Sequence, residues 1–162
     1  MSSAAAAAAT NYVETALSGD QFSMQSSQLA LQMSQSPEVR SYAQRTINDH
    51  AQLSSQLNAA AQSAGIASPQ VVMLPQHSTL LSQLHSVRGA DFDGMYKNYQ
   101  VMTQMQALDV HQRYAATGEV PGLRTIASSA VPMVQSHLSQ AQSLSIVPPP
   151  PVRTYRRSGE RG

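Results

Sequence analysis

SPEVRSYAQRTINDHAQLSSQLNAAAQSAG, residues 36–65, decides the fold. Ser36 is a good helix N-cap, because its hydroxyl can accept an otherwise unpaired N–H of the first turn. Pro37 follows at the first helical position, where its missing N–H costs nothing. Val39, Ala43, Thr46, His50, Leu53, Leu57, Ala60 and Ala64 then recur at alternating steps of four and three, which is the seam of an amphipathic helix. Gly65 closes the run as a left-handed cap.

The same punctuation divides the rest of the chain. Upstream, a first helix is expected over about residues 10–34, with Val13, Leu17, Met24 and Leu31 on one stripe and Phe22, Leu29 and Met33 beside it. Gly19-Asp20 interrupts this run with a residue that costs about 1 kcal/mol in a helix interior. Downstream, residues 66–90 form a long connection containing Pro69 and Pro75, in which Leu80, Leu81, Leu84 and Val87 suggest a short amphipathic helix. Asp91 reads as the N-cap of a third long helix, 92–117, whose seam includes Val101, Gln104, Leu108, His111 and Ala115. Gly118 ends it. Pro121 opens a fourth, 121–145, with Leu123, Ala127, Ala130, Val134, His137, Ala141 and Leu144 inward. Pro132 inside that helix removes one backbone bond and is expected to kink it.

Two short links and one long link imply an all-α four-helix bundle with a crossover between the second and third long helices. The short links make the first and second helices antiparallel, and likewise the third and fourth. The crossover makes the second and third parallel. Strand signals are missing: no run alternates apolar and polar residues between turns. The bundle occupies residues 10–146, after an Ala-rich segment at 1–9. Beyond Ile146 come four prolines and an Arg-rich end, which read as an extended spacer with a flexible basic tip over 147–162.

Composition narrows the function. There is no Cys, which excludes disulfides, iron–sulfur clusters, thiol catalysis and Cys-ligated zinc. Aromatic residues are 5% of the chain and Trp is absent, so the core is expected to be built from Ala, Leu, Val and Met. The eight methionines are scattered over several helices and read as core fillers rather than a copper-binding array. Charged residues are 12%, about half the usual share. Residues 1–146 carry six basic side chains against eight acidic, and the tail four against one. A mildly acidic body does not bind nucleic acid on charge grounds. No apolar stretch approaches the roughly 18 residues of a membrane span. A secretory leader needs a basic start and an apolar centre, and the first basic residue here is Arg40. No complete leader is therefore expected in this chain, with the run Ala4–Ala9 as the stub of a leader that starts further upstream standing as the alternative. Phosphate-binding Gly loops, a dinucleotide fingerprint, a nucleophile elbow and a His-Glu-x-x-His pair are all missing.

The bundle topology predicts which residues share a level. His50 lies about 13 residues into the second helix, and the same depth in the third reaches Gln104. In the fourth helix that depth falls within one turn of His137, and in the first at Ser23 and Gln25. Two histidines and one or two glutamines at one depth look like a site. Two readings stay open: a polar layer whose members satisfy each other or a trapped water, and a histidine metal site. A di-iron carboxylate site would pair each His with a Glu three residues earlier, but Ile47 and Val134 stand there. His111 lies two turns from Gln104, outside this layer. His77 and His85 are expected at the surface, and Asp49 as a solvated helix acid.

Several stretches, taken in order, resemble a known family. They are Ser26-Ser27-Gln28-Leu29-Ala30-Leu31, Ser36-Pro37-Glu38-Val39-Arg40-Ser41-Tyr42-Ala43 with Asn48-Asp49-His50, Phe92-Asp93 with Tyr96, and Val131-Pro132 leading to His137-Leu138. Over about residues 11–144 the chain is similar to the bacterial domain of unknown function 4142, described as ferritin-like and as outer-membrane or periplasmic. The resemblance implies a ferritin-like bundle, export to the cell envelope, and no established activity. It also implies a Glu in the first helix and a His in the third beside the two histidines that match here, His50 and His137. The corresponding positions hold Ser23 or Gln25, and Gln104, so the strongest metal ligands of such a layer are replaced. The expectation is therefore a non-enzymatic envelope bundle acting through surface or tail contacts, with no cofactor. Two alternatives stand beside it. One is a degenerate divalent-metal site at His50 and His137, with Gln104 and Gln25 as its polar surroundings. The other is a tail that binds an anionic envelope polymer through Arg153, Arg156 and Arg157.

Overall fold

A computed structural model describes residues 1–67 and 73–146. The expected tail, with Arg153, Arg156 and Arg157, lies outside the described residues. Five helices run in order: α1 Ser3–Met33, α2 Pro37–Ser63, α3 Pro75–His85, α4 Gly89–Thr117 and α5 Pro121–Ser143. There is no strand among the described residues. The four long helices form the bundle, and short α3 rides on the crossover against α1 and α4.

Local chemistry accounts for most helix ends. The Ser36 hydroxyl accepts the Val39 N–H at 3.2 Å, with Pro37 opening α2. At the far end Gly65 takes a φ of 72°. Its N–H reaches the Gln62 carbonyl at 3.0 Å while the Ile66 N–H reaches Ala61 at 2.9 Å, the paired bonds of a Schellman cap. Two starts differ from expectation. α1 begins at Ser3, capped by Ser2, because Ala is the strongest helix former; Ala5 and Ala9 are buried. α4 begins at Gly89 rather than after Asp91. Gly89, with a φ of 59°, turns the chain sharply out of the α3 link, so the first helical bond forms early, from Phe92 N–H to the Arg88 carbonyl. Asp91 lies inside the first turn, where its charge meets the positive end of the helix. Helix α1 runs unbroken through Gly19-Asp20, and α5 through Pro132.

Side-chain pairs fix the register. Tyr12 meets His111, Ser26 meets Gln100 and Ser27 meets Tyr96, so α1 and α4 are antiparallel. Arg45 meets Gln140 and Glu38 meets the backbone of Ser145, so α2 and α5 are antiparallel as well. With α1 also packed on α2 through a three-residue link, α2 and α4 are parallel, as the long crossover requires.

The apolar core is split in two. One half gathers Tyr12, Val13, Leu17, Leu53, Leu57, Leu123 and Ala127. The other gathers Phe22, Val39, Tyr42, Leu84, Phe92, Tyr96 and Ala141. Aromatic rings, few as they are, anchor both halves. None of the eight methionines is fully buried: Met33, Met73, Met95 and Met133 pack half-buried against the core as its outer fillers, while Met102 and Met105 are exposed.

Candidate functional site: a buried histidine layer

Between the two apolar halves lies a polar layer drawn from all four long helices. His50 and His137 are both 1% exposed, and their ring centroids lie 5.4 Å apart. The His50 Nδ1–H donates to the Asp20 carboxylate at 2.7 Å, and the Ser54 hydroxyl donates to its second oxygen at 3.2 Å. On the other edge of the ring, the Gln104 amide N–H₂ donates to His50 Nε2 at 3.1 Å. His137 is held in the same way. Its Nε2–H donates to Asp49 at 2.8 Å, and its Nδ1 accepts from the Thr46 hydroxyl at 3.3 Å. The carboxylate partners place a proton on Nδ1 of His50 and on Nε2 of His137, so the two rings present opposite edges to their acids.

The electrostatics follow burial. Loss of water pushes the Asp20 carboxyl up, and the hydrogen bond and charge of His50 and the Ser54 hydroxyl pull it back down. His137 is pushed down by burial and then by His50, against the upward pull of Asp49. On the α1 side the layer is closely covered, with Asp20 2% exposed. It meets solvent on the α2–α5 side through Asp49, whose side chain is 38% exposed. Tyr42 packs edge-on against His137, and its hydroxyl lies beside Thr46 and Gln104 without forming a regular hydrogen bond. The buried amide oxygens of Gln100 and Gln104 also lack a partner among the described residues.

The sequence brings His50, His137 and Gln104 to one level, and the structure places them there. The member from α1 is different. Gln25 is exposed and bonds only to Gln21, and Ser23 is buried without joining the layer. Asp20 takes the position instead, three residues before Ser23. Asp49 is not a solvated helix acid but the partner of His137. Neighbouring helix residues point about 100° apart, so Asp49 faces α5 while His50 faces α1. His77 is not at the surface either: it is 4% exposed, bonded through Nδ1 to the Ser18 hydroxyl at 2.6 Å. His85 is exposed as expected. His111 stands apart from the layer, its Nδ1 accepting from the Tyr12 hydroxyl at 2.8 Å.

As a metal centre this set fits poorly. All four ring nitrogens of His50 and His137 already have protein partners, and an amide N–H₂ rather than a carbonyl faces His50. No group of three His, Asp or Glu side chains placed to hold a metal ion occurs among the described residues. What the arrangement does provide is a polar plane across the bundle in which every ring nitrogen of the two histidines is bonded.

The fold is similar to that of a solved structure described as CopM in the Cu(II)-bound form, with a TM-score of 0.70 and 16% sequence identity, covering 83% of this chain and 93% of that one. No curated protein matches the chain. No described helix is long and apolar enough to cross a membrane. The model of the domain of unknown function DUF4142 matches residues 1–144, and the chain belongs to that family.

Proposed function

We propose that this protein is a non-enzymatic helical bundle of the cell envelope that acts through surface contacts, and that its histidine layer locks the helices in register. One observation supports the reading: every ring nitrogen of His50 and His137 is held by a protein partner. A layer of this kind leaves no open position for a reactant. It also penalises misalignment, because a helix slipped by one turn would strand a buried carboxylate without its donors. The contact surface we favour includes the basic tail, whose Arg153, Arg156 and Arg157 suit an anionic envelope polymer. Fractionation of the native host should find the protein with the envelope. Deleting residues 147–162 should abolish retention on an anionic polymer such as polyphosphate. Purely cytosolic protein, or retention without the tail, would refute the respective half.

A second reading has its own support in Asp20, a buried carboxylate on α1, the helix in which the family resemblance implies an acid and the depth count reached only Ser23 and Gln25. In this reading His50 and His137 supply nitrogen ligands to a divalent metal, beside Asp20 and Asp49, with the unpartnered Gln104 Oε1 as a further donor. Elemental analysis after expression with iron, zinc, manganese and copper separates the two. Copper belongs in that set because the structural neighbour holds Cu(II). Stoichiometric metal that disappears with His50→Ala and His137→Ala would establish the second reading. Its absence supports the first.

A further inference from the structure

A cleft of about 230 Å³ opens between α1, α3 and α4, on the far side of Asp20 from α5. At roughly 30 Å³ per molecule it would hold about seven waters. Its walls are small or apolar at Ala16, Gly19 and Ala107, and polar at Gln106. Three titratable residues line it: Asp20, His77 and Asp109.

Gly19 is the first clue. It lies in the interior of α1, where Gly costs about 1 kcal/mol relative to Ala, and its φ is not in the left-handed region. A Cβ built there meets nothing within 4 Å. Packing therefore gives no reason for its absence, whereas the missing side chain keeps the cleft open.

His77 is the second. Its ring is buried and stacks on Phe22 at 5.8 Å. The Ser18 hydroxyl accepts the Leu74 N–H at 2.8 Å and lies 2.6 Å from His77 Nδ1, and we assign its own hydrogen to that nitrogen because the oxygen already serves as an acceptor. That leaves Nε2 as the protonated nitrogen. Nε2 makes no hydrogen bond to a described residue and is not among the atoms sealed from solvent. The cleft His77 lines is where this donor is reached.

Charge is the third. Asp20 accepts hydrogen bonds from His50 and from the Ser54 hydroxyl, and its carboxyl lines the cleft. Asp109 adds a second carboxylate, exposed and paired at 3.0 Å with the still more exposed Arg113. Such an exposed pair contributes little and leaves Asp109 available.

We propose that this cleft binds a small protonated amine that also carries a hydroxyl or carbonyl acceptor. The ammonium group lies toward the acids, and the acceptor takes the His77 Nε2–H. This site shares Asp20 with the histidine layer but does not depend on the surface-contact reading. The test is an amide-resonance titration of the full chain with three straight-chain probes of one length: aminobutanol with its groups at opposite ends, butanediol, and hydroxybutyrate. Aminobutanol should shift the Gly19 and Ala107 resonances saturably. The diol and the acid should bind at least about tenfold more weakly, which is about 1.4 kcal/mol. Gly19→Val and Ala107→Leu fill the cleft from opposite walls, and each should abolish the shifts while helix content by circular dichroism is unchanged. If either variant fails to fold, the other decides, and the three-probe comparison on the unaltered chain stands alone. No saturable shift, equal binding of the three probes, or full binding by a folded filled variant would overturn the proposal.

Discussion

Acid should destabilise this bundle through His111, and the size of the effect can be worked from the structure. His111 is 2% exposed, and its Nδ1 accepts from Tyr12, whose ring stacks on Tyr114 with centroids 4.2 Å apart. Burial, with a smaller contribution from His50, pushes its pKa down from 6.5 to about 4. Between those two values the unfolded chain binds a proton that the folded chain refuses, so stability rises with pH. The contribution is intact above about pH 6.5 and is lost as pH falls toward about 4. A shift of about 2.5 units corresponds to about 3 kcal/mol in all, and about 2 kcal/mol of it is gone near pH 5. His111→Gln offers Tyr12 an amide oxygen and has no proton to gain. Urea unfolding of both proteins near pH 7.5 and near pH 5 should show the parent losing about 2 kcal/mol more than the variant over that interval. Comparing the two losses cancels the contributions of His77 and His137, which burial also pushes down. Equal losses would mean that the His111 proton is not excluded by folding, and the argument from burial would be wrong.

Other perturbations have simpler expectations. Asp20→Ala leaves the His50 Nδ1–H and the Ser54 hydroxyl without their acceptor and should cost about 3 kcal/mol by urea unfolding, whereas Asp20→Asn keeps an acceptor and should cost less than half of that. Ser36→Ala removes the α2 cap and should cost about 1 kcal/mol, seen as a fall in Tm of about 3 °C by circular dichroism. Gly19→Ala places a methyl in open space within a helix and should raise stability by up to about 1 kcal/mol, measured the same way.

How much of this was readable in advance varies by element. Wherever an end is chemically punctuated, as at Ser36-Pro37, Gly65, Gly118 and Pro121, sequence and structure coincide within a residue or two. A cap is a local bargain between one side chain and the nearest backbone, and no distant partner is needed to settle it. The Asp91 start failed because a second local signal, the left-handed Gly89, acted earlier in the chain. The parallel pairing of α2 and α4 was also readable, since link length alone decides it once four helices are accepted.

The layer was only half legible, and the reason is geometric. Depth counting locates a level to within one turn, which is enough to bring His50, Gln104 and His137 together. It does not resolve which of three or four successive residues points inward. On α1 the count reached Ser23 and Gln25, and the identity of the inward residue changes the chemistry: neither of those carries an acid, while Asp20 puts a buried carboxylate against His50. Composition made the choice harder, because an acid beside a mid-helix Gly reads as a place where the helix weakens. The structure gives both residues a joint role. Asp20 turns inward to bond His50, while its neighbour Gly19 leaves open the cleft that reaches the same carboxylate from outside. A dipeptide that looks like a flaw in an isolated helix thus serves both the interior of the bundle, through the Asp20 bond to His50, and the cleft that both residues line.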